Sequence, residues 1–473
     1  MLYNLFLRMI IKQDKLSQAT DILKKNQFST TSPDGKQYRG ISPSSEYYYH
    51  AWFWDTIFHA MALVHTSPEL ALENIKFLTD SQWDNGHIGH IIYRFEDMPY
   101  FPGKTIWKTE GKSKSGITSS GIIQPPIIAI GVRYIYEQLH DPVYRKQVIS
   151  TLLPAVEKYH AYLKNTHDPE NSGLISIFHP WSSGSDNAII FDRPMKSIVL
   201  SDIPKSVHET VLKKRVDNKV GDRQTRPLQE DYYRFLYLVD IGNKMGWNYE
   251  KIHNNFPFAV KDVSVNAMWC YANEELGRLL VSIGREKDTQ RYLNWARETR
   301  NALQDSWDRE KGGFTNINVT SGEWTREYSE SFANFMPLLT GEITPIQFDI
   351  ICDKLEDVNQ YWTLYPVPSV PINHPFFELK RYWRGPTWPV INYFIIVGLQ
   401  RILDNSSNRY TQEQKERISR IRKALITKTK QMIEKNGFYE NYSPLKPLDG
   451  KIGNGFGNFS WTAAIYILLN SLL

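Results

Sequence analysis

Two cysteines, Cys270 and Cys352, among 473 residues are too few for a disulfide framework or a thiolate metal site, so a reducing cytoplasm is the expected location. Long hydrophobic runs are missing as well. None reaches 18 apolar residues, and no segment is expected to span a membrane. The apolar start MLYNLFLRMIIKQDK is too short for a signal core, carries Arg8 in its middle and lacks a small-residue cleavage site; Met9 is an alternative start that would remove it. Charge of one sign is scarce: Lys+Arg number 56 against Asp+Glu 51, a net +5, which makes no case for a nucleic-acid partner. There is no Gly/Ser-rich linker or low-complexity tract. Metal motifs are absent too. His50 and His59, or His87 and His90, stand in no HExxH pattern and have no matching acid, so no metal and no cofactor is expected. Without a Gly-x-Ser-x-Gly elbow, serine hydrolase chemistry is disfavoured.

Aromatic residues are plentiful: 13% of the chain, with 14 Trp and 27 Tyr. Helical periodicity dominates, as at Leu152, Leu153, Val156, Tyr159 and Leu163. Helices are expected near 15–26, 52–65, 68–80, 122–139, 142–165, 229–245, 262–283, 286–308, 328–340, 345–357, 388–403, 411–435 and 458–472. Strand alternation is sparse, and Gly312 to Val319 is the best short ribbon. The helices come in pairs, an apolar member followed by a charged one. Inner and outer rings would produce that alternation. The expected architecture is therefore an all-α (α/α)6 barrel, one domain over 1–473. Three long connections, 83–121, 166–228 and 358–387, are expected to act as structureless lid loops. A monomer and a homo-oligomer fit the sequence equally.

The chemistry-bearing stretches fall at helix starts and in those connections. The densest is Tyr382-Trp383-Arg384-Gly385-Pro386-Thr387-Trp388-Pro389, a turn leading into an apolar helix. It either anchors that turn with buried tryptophans or lines a wet pocket, because flat rings stack on sugar faces. Around Tyr48, Trp52, Trp54 and Asp55 the choice is between an aromatic core seam and a sugar site, with Asp55 binding hydroxyls. Gln124 lies before Pro125-Pro126 at the start of another apolar helix. In His179-Pro180-Trp181-Ser182-Ser183-Gly184-Ser185-Asp186-Asn187, an acid stands near Trp181. An apolar wall is what keeps a carboxylic acid protonated, although Asp-Asn is also an ordinary turn. Arg226 precedes a helix that carries Tyr232 and is placed to reach a carboxylate. Glu440, flanked by tyrosines in Phe438 to Pro444, is a candidate base. The glycines that follow it, ahead of Phe459-Ser460-Trp461-Thr462, have no preceding strand and no Lys-Ser/Thr ending, which argues against a phosphate loop. Asp186 and Glu440 together form a natural pair for glycoside hydrolysis.

Five such stretches in this order, from about Tyr47 to Trp461, resemble glycoside hydrolase family 63, and within it the short bacterial glucosylglycerate and mannosylglycerate hydrolases. YWRGPTWP, FYENYSP and FSWT carry the resemblance. It implies an (α/α)6 barrel with lid loops, and hydrolysis with inversion. Asp186 matches the family's general acid and Glu440 its general base. Tyr48, Trp52, Trp54 and Asp55 match residues that hold the sugar, while Gln124, Trp181, Tyr382, Trp383 and Trp388 look like further pocket walls. Arg226 and Tyr232 match positions that grip glycerate. Two departures flank the acid. Ser182 stands where the family usually has Glu, and Ala188-Ile189-Ile190-Phe191 replace Ser-Pro-Arg-Trp. They bear on the substrate more than on the reaction. A small charged α-glycoside, 2-O-glucosylglycerate or mannosylglycerate, is the expected substrate. A neutral α-glucosidase or trehalase-like activity is the alternative, and a non-catalytic carbohydrate-binding toroid the reading from outside the enzymes.

Overall fold

The computed structural model describes residues 2–217, 222–320, 324–405 and 409–472; Met1, one of the two possible starts, lies outside them. In chain order the helices are α1 (Leu2–Lys25), α2 (Phe53–Leu63), α3 (Pro68–Asp80), α4 (Ile128–Gln138), α5 (Pro142–His167), α6 (Asp192–Lys196), α7 (Lys205–Lys214), α8 (Gln229–Lys244) and α9 (Tyr249–Asn255). They continue with α10 (Val263–Ser282), α11 (Glu286–Asp305), α12 (Pro345–Glu356), α13 (Pro389–Asn405), α14 (Gln412–Asn436) and α15 (Ser460–Ser471). No described helix is long and apolar enough to cross a membrane.

Packing closes these elements into a ring. Helix α2 lies against α4, α4 against α10, and α10 against a 3-10 helix, Phe332–Thr340. That segment packs on α13, α13 on α15, and α15 returns to α2. The ring therefore has six members. Around it, α3 covers α2, α5 covers α4, α11 covers α10, α14 covers α13, and α1 covers α15. The burial pattern explains the layering. Every residue of α2 is buried, Asp55, Thr56 and His59 included, because the helix is enclosed on all sides. The charged α14 buries only a stripe, among it Ile418, Ile421, Leu425, Met432 and Ile433. The paired apolar and charged pattern of the sequence is this inner and outer ring.

Three expectations need correction. The helix expected over 122–139 begins only at Ile128, since Pro125 and Pro126 lack the N–H groups a helix needs and hold the chain extended. The helix expected over 328–340 is strand up to Tyr328 and then the 3-10 segment, which has Pro337 inside it. The 83–121 connection is not structureless, with the strand Ile91–Ile92 and the 3-10 turn Lys104–Ile106, and neither is the 166–228 connection. It carries the 3-10 turns Pro180–Ser183 and Ile189–Phe191 as well as α6 and α7. The Gly312 to Val319 ribbon is a strand, Gly313–Asn318, in the middle of a small antiparallel sheet.

The ring elements begin at one end, and that end carries the aromatic stretches. Trp54 and Asp55 lie in the first turn of α2, Trp388 immediately precedes α13, and Trp461 opens α15. Two short strands, Tyr439–Tyr442 and Gly453–Gly457, pair antiparallel beside this end and hold Glu440.

Candidate active site

A cavity opens at that end of the ring. All thirteen residues singled out from the sequence line it: Asp186 and Glu440; Tyr48, Trp52, Trp54 and Asp55; Gln124, Trp181, Arg226 and Tyr232; Tyr382, Trp383 and Trp388. Sequence reasoning left out Asp217, Tyr47, Tyr100, Phe101, His90, Phe459 and Trp461, which line it too. Phe459 and Trp461 sit in the quoted FSWT motif. Asp217 carried no signal, because nothing in a charged helix-flanking segment tells a buried acid from a solvated one.

Asp186 follows the 3-10 turn Pro180–Ser183, which ends at Gly184 in a left-handed conformation, φ 73°. That glycine is required twice over. A Cβ there would also stand 2.6 Å from the Trp54 ring. Asp186 keeps partial exposure to the cavity and makes no hydrogen bond to another side chain among the described residues. Burial pushes its carboxyl up to about 7, and the nearby negative charges of Glu440 and Asp217 push the same way against Arg226. The substituted stretch behind it has become core: Ala188, Ile190 and Phe191 are buried, and Phe191 packs edge-on against Phe258.

Glu440 is built differently. It is 2% exposed, and Arg226, equally buried, grips it with both arms: Nη2 donates to Oε2 at 2.7 Å and Nη1 to Oε1 at 3.2 Å. The hydroxyls of Tyr48 and Tyr382 lie 3.2 and 3.3 Å from Oε1. Arg226 Nη1 also donates to the Tyr48 hydroxyl at 2.8 Å. The guanidinium sits over the rings of Tyr48, Tyr382 and Phe456 at 5.1–5.8 Å. An arginine expected to meet a substrate carboxylate is thus already engaged by a protein carboxylate.

The Tyr382 to Pro389 stretch joins the two carboxylates. On one side the Trp383 N–H donates to Asn187 Oδ1 at 3.0 Å, and Arg384 binds Asp192 with both Nη groups at 2.7 and 3.2 Å. Both partners lie in the segment of Asp186. On the other side Thr387 and Tyr442 exchange backbone hydrogen bonds of 2.7 and 2.9 Å, which ties the stretch to the strand of Glu440. Between these ties the rings of Trp383 and Trp388 stack at 3.8 Å and 1°. Both tryptophans are 1% exposed. They are buried anchors and pocket walls at once.

Asp55 is a third carboxylate at the cavity. Burial raises its pKa well above the ordinary carboxyl range. Gln124 Oε1 accepts the Trp54 N–H at 3.1 Å, so its carboxamide lies against the first turn of α2, and not at the start of α4. His90 is a buried neutral imidazole, its pKa well below the usual value through desolvation. Among the described residues no cluster of His, Cys, Asp and Glu is arranged to hold a metal.

Comparison with known proteins adds the following. The model of the mannosylglycerate hydrolase MGH1-like glycoside hydrolase domain matches residues 48–462. A mannosylglycerate hydrolase of Thermus thermophilus is 30% identical over 424 residues, 89% of this chain and 94% of that protein. A glucosylglycerate hydrolase of Mycolicibacterium hassiacum is 28% identical over 363 residues, 73% of this chain and 79% of that protein. Among solved structures, a family 63 mannosylglycerate hydrolase of Thermus thermophilus, in complex with Tris and D-glycerate, superposes with a TM-score of 0.83 at 28% identity. That match covers 96% of this chain and all of the other.

Proposed function

This chain belongs to the mannosylglycerate hydrolase MGH1-like family of glycoside hydrolases, and on that premise we propose that it cleaves the α-glycosidic bond of a glycosylglycerate with inversion. The observation that carries the reading is the unlike surroundings of two carboxyl groups at one cavity. Burial raises the Asp186 carboxyl to about 7, which favours its protonated form, while Glu440 is clasped by a guanidinium.

The steps follow from that difference. Asp186 gives its proton to the glycosidic oxygen as the bond to the anomeric carbon breaks. A water on the opposite ring face forms the new bond to that carbon, and Glu440 takes the proton the water loses. Sugar and glycerate leave, and solvent restores both protonation states. Inversion needs the carboxyl groups roughly 6.5–9.5 Å apart, with the water between them. Trp52, Trp54, Trp181 and Trp388 offer faces and edges to the pyranose, and Asp55 and Gln124 offer hydrogen-bonding groups to its hydroxyls. Arg226 supplies the cation that an anionic aglycone requires in an aromatic pocket. The lid role of 83–121, 166–228 and 358–387 is part of this proposal. Phe101 and Pro102, Trp181 and Arg226, and Tyr382 and Trp383 reach the cavity from those three connections.

A panel of 2-O-α-glucosylglycerate, 2-O-α-mannosylglycerate, trehalose and maltose tests the substrate. The glycerate compounds are expected to be turned over fastest, and faster hydrolysis of the neutral disaccharides would overturn the assignment. Proton NMR of the first product is expected to show the β-anomer; an α-anomer would exclude inversion.

A further inference from the structure

A second arginine–carboxylate pair stands at the cavity, and it decides which way a tyrosine proton points. Arg215, just after α7, holds Asp217 with Nε donating to Oδ1 at 2.7 Å and Nη2 to Oδ2 at 3.1 Å. Both side chains are 4% exposed. Arg215 also donates to the Pro227 carbonyl at 2.8 Å and to Gln229 Oε1 at 3.1 Å, and it lies 3.7 Å over the Tyr232 ring. Asp217 and Tyr232 both line the cavity, and Tyr232 remains half-buried there. The Tyr232 hydroxyl is 2.9 Å from Asp217 Oδ2.

A phenol has one proton. A carboxylate held by a guanidinium can only accept, so Tyr232 gives that proton to Asp217. Its oxygen then faces the cavity with lone pairs and no donor. Such an oxygen repels a substrate carboxylate and binds a hydroxyl. We infer that Asp217, through Tyr232, is a specificity-determining residue selecting aglycones that carry a hydroxyl donor beside the leaving oxygen. For glycerate that group is the C3 hydroxyl, while the carboxylate is left to Arg226. The inference rests on the glycosylglycerate reading for the identity of the aglycone, and on Asp217 and Tyr232 alone for the hydroxyl.

The test compares 2-O-α-glycosides of glycerate and of lactate, which differ only in that hydroxyl. Wild-type enzyme is expected to prefer glycerate roughly ten- to hundredfold in kcat/KM, the usual effect of one hydrogen bond to a site that otherwise keeps an unpaired polar group. In Asp217→Asn, Arg215 has only donors and takes the amide oxygen, which turns the amide NH2 toward Tyr232. Tyr232 then accepts from Asn and donates into the cavity, so the preference is expected to fall to within about threefold of unity. Tyr232→Phe, which leaves the Arg215–Asp217 pair intact, is expected to lose the preference as well. A merely structural role would lower both substrates alike and keep the ratio. A wild-type ratio near one, or a folded Asp217→Asn that keeps it, overturns the inference. If Asp217→Asn does not fold, retention of the ratio by Tyr232→Phe does so. Should neither anionic glycoside be hydrolysed, the glycosylglycerate reading fails by itself. The neutral pair of 2-hydroxyethyl and ethyl α-glycosides then reads the same hydroxyl contact, and no preference for the hydroxyethyl compound overturns the inference.

Discussion

Arg226 Nη2 stands 2.7 Å from Glu440 Oε2, so the cation assigned to the substrate and the carboxylate assigned to the water are one buried ion pair. A bound aglycone carboxylate would compete with Glu440 for that guanidinium. Arg226 is therefore expected to act on both binding and turnover. Arg226→Ala removes the strongest donor to a 2%-exposed carboxylate and leaves it to Tyr48 and Tyr382. Stability should fall by about 3–5 kcal/mol, the usual cost of breaking a buried pair. Steady-state kinetics should show kcat reduced on every substrate. The Michaelis constant should rise far more for glycosylglycerates than for neutral disaccharides; an equal rise on both would remove Arg226 from carboxylate recognition.

Asp186→Asn and Glu440→Gln keep shape and remove proton transfer. Each is expected to lower kcat by about a hundred- to ten-thousandfold, the range for a general acid or base. Unchanged circular dichroism would show that the fold is not the cause. Near-normal turnover in either variant would exclude that residue from its role.

The pH dependence has a definite sign. As the proposed acid Asp186 must be protonated to act, and its carboxyl is raised to about 7 by burial. The descending limb of kcat/KM is therefore expected near pH 7, with activity lost as pH rises through it. Stability follows the same group. Between the ordinary value of 3.8 and about 7 the folded chain holds a proton that the unfolded chain has released, so this carboxyl weakens the fold as pH rises across that window. Thermal melts of Asp186→Asn should lack this part of the slope.

Much of this site is legible in the sequence because its residues lie at breaks in the helical pattern. Proline and glycine interrupt a helix visibly, as in Trp383 to Pro389 or Gly184 to Asn187, and a break at the start of an apolar helix is where a barrel opens. What helical periodicity does not carry is the partner of a side chain. Arg226 reads as a free cation, yet its partner Glu440 is 214 residues away. Asp217 reads as one more charge near a helix, yet it is buried against Arg215 two residues before it. The 3-10 member of the ring escaped for a local reason. Pro337 removes a donor from its middle, and the chain from Phe332 to Thr340 tightens there without leaving the ring.

Asn187 is expected to position the acid without touching substrate. Its Oδ1 accepts the Trp383 N–H at 3.0 Å, which ties the residue after Asp186 to the aromatic turn. Asn187→Ala orphans a buried donor at a cost of about 1–3 kcal/mol. With the loop loosened, kcat should fall by roughly tenfold or more, since small displacements of a reacting group are costly, while the Michaelis constant changes little. A parallel loss in both constants would instead place Asn187 in substrate binding.

Gly455 stands behind the carboxylate proposed as the base. It sits on the strand paired with that of Glu440, at φ +72°, and an added Cβ would stand 2.2 Å from Glu440 Oε2 and 2.8 Å from its Cβ. Two effects therefore oppose any side chain there. The left-handed backbone costs about 1–3 kcal/mol for a residue with a Cβ, and the contact with both the carboxylate and the Cβ of Glu440 forces that side chain away from Arg226. Gly455→Ala should lower kcat by about a hundredfold, the effect of misplacing a catalytic group by an ångström. The loss should exceed what the drop in melting temperature explains, because at assay temperature most of the variant would remain folded. A Gly455→Ala enzyme with wild-type kcat would mean that Glu440 tolerates displacement, which a general base poised over one water does not.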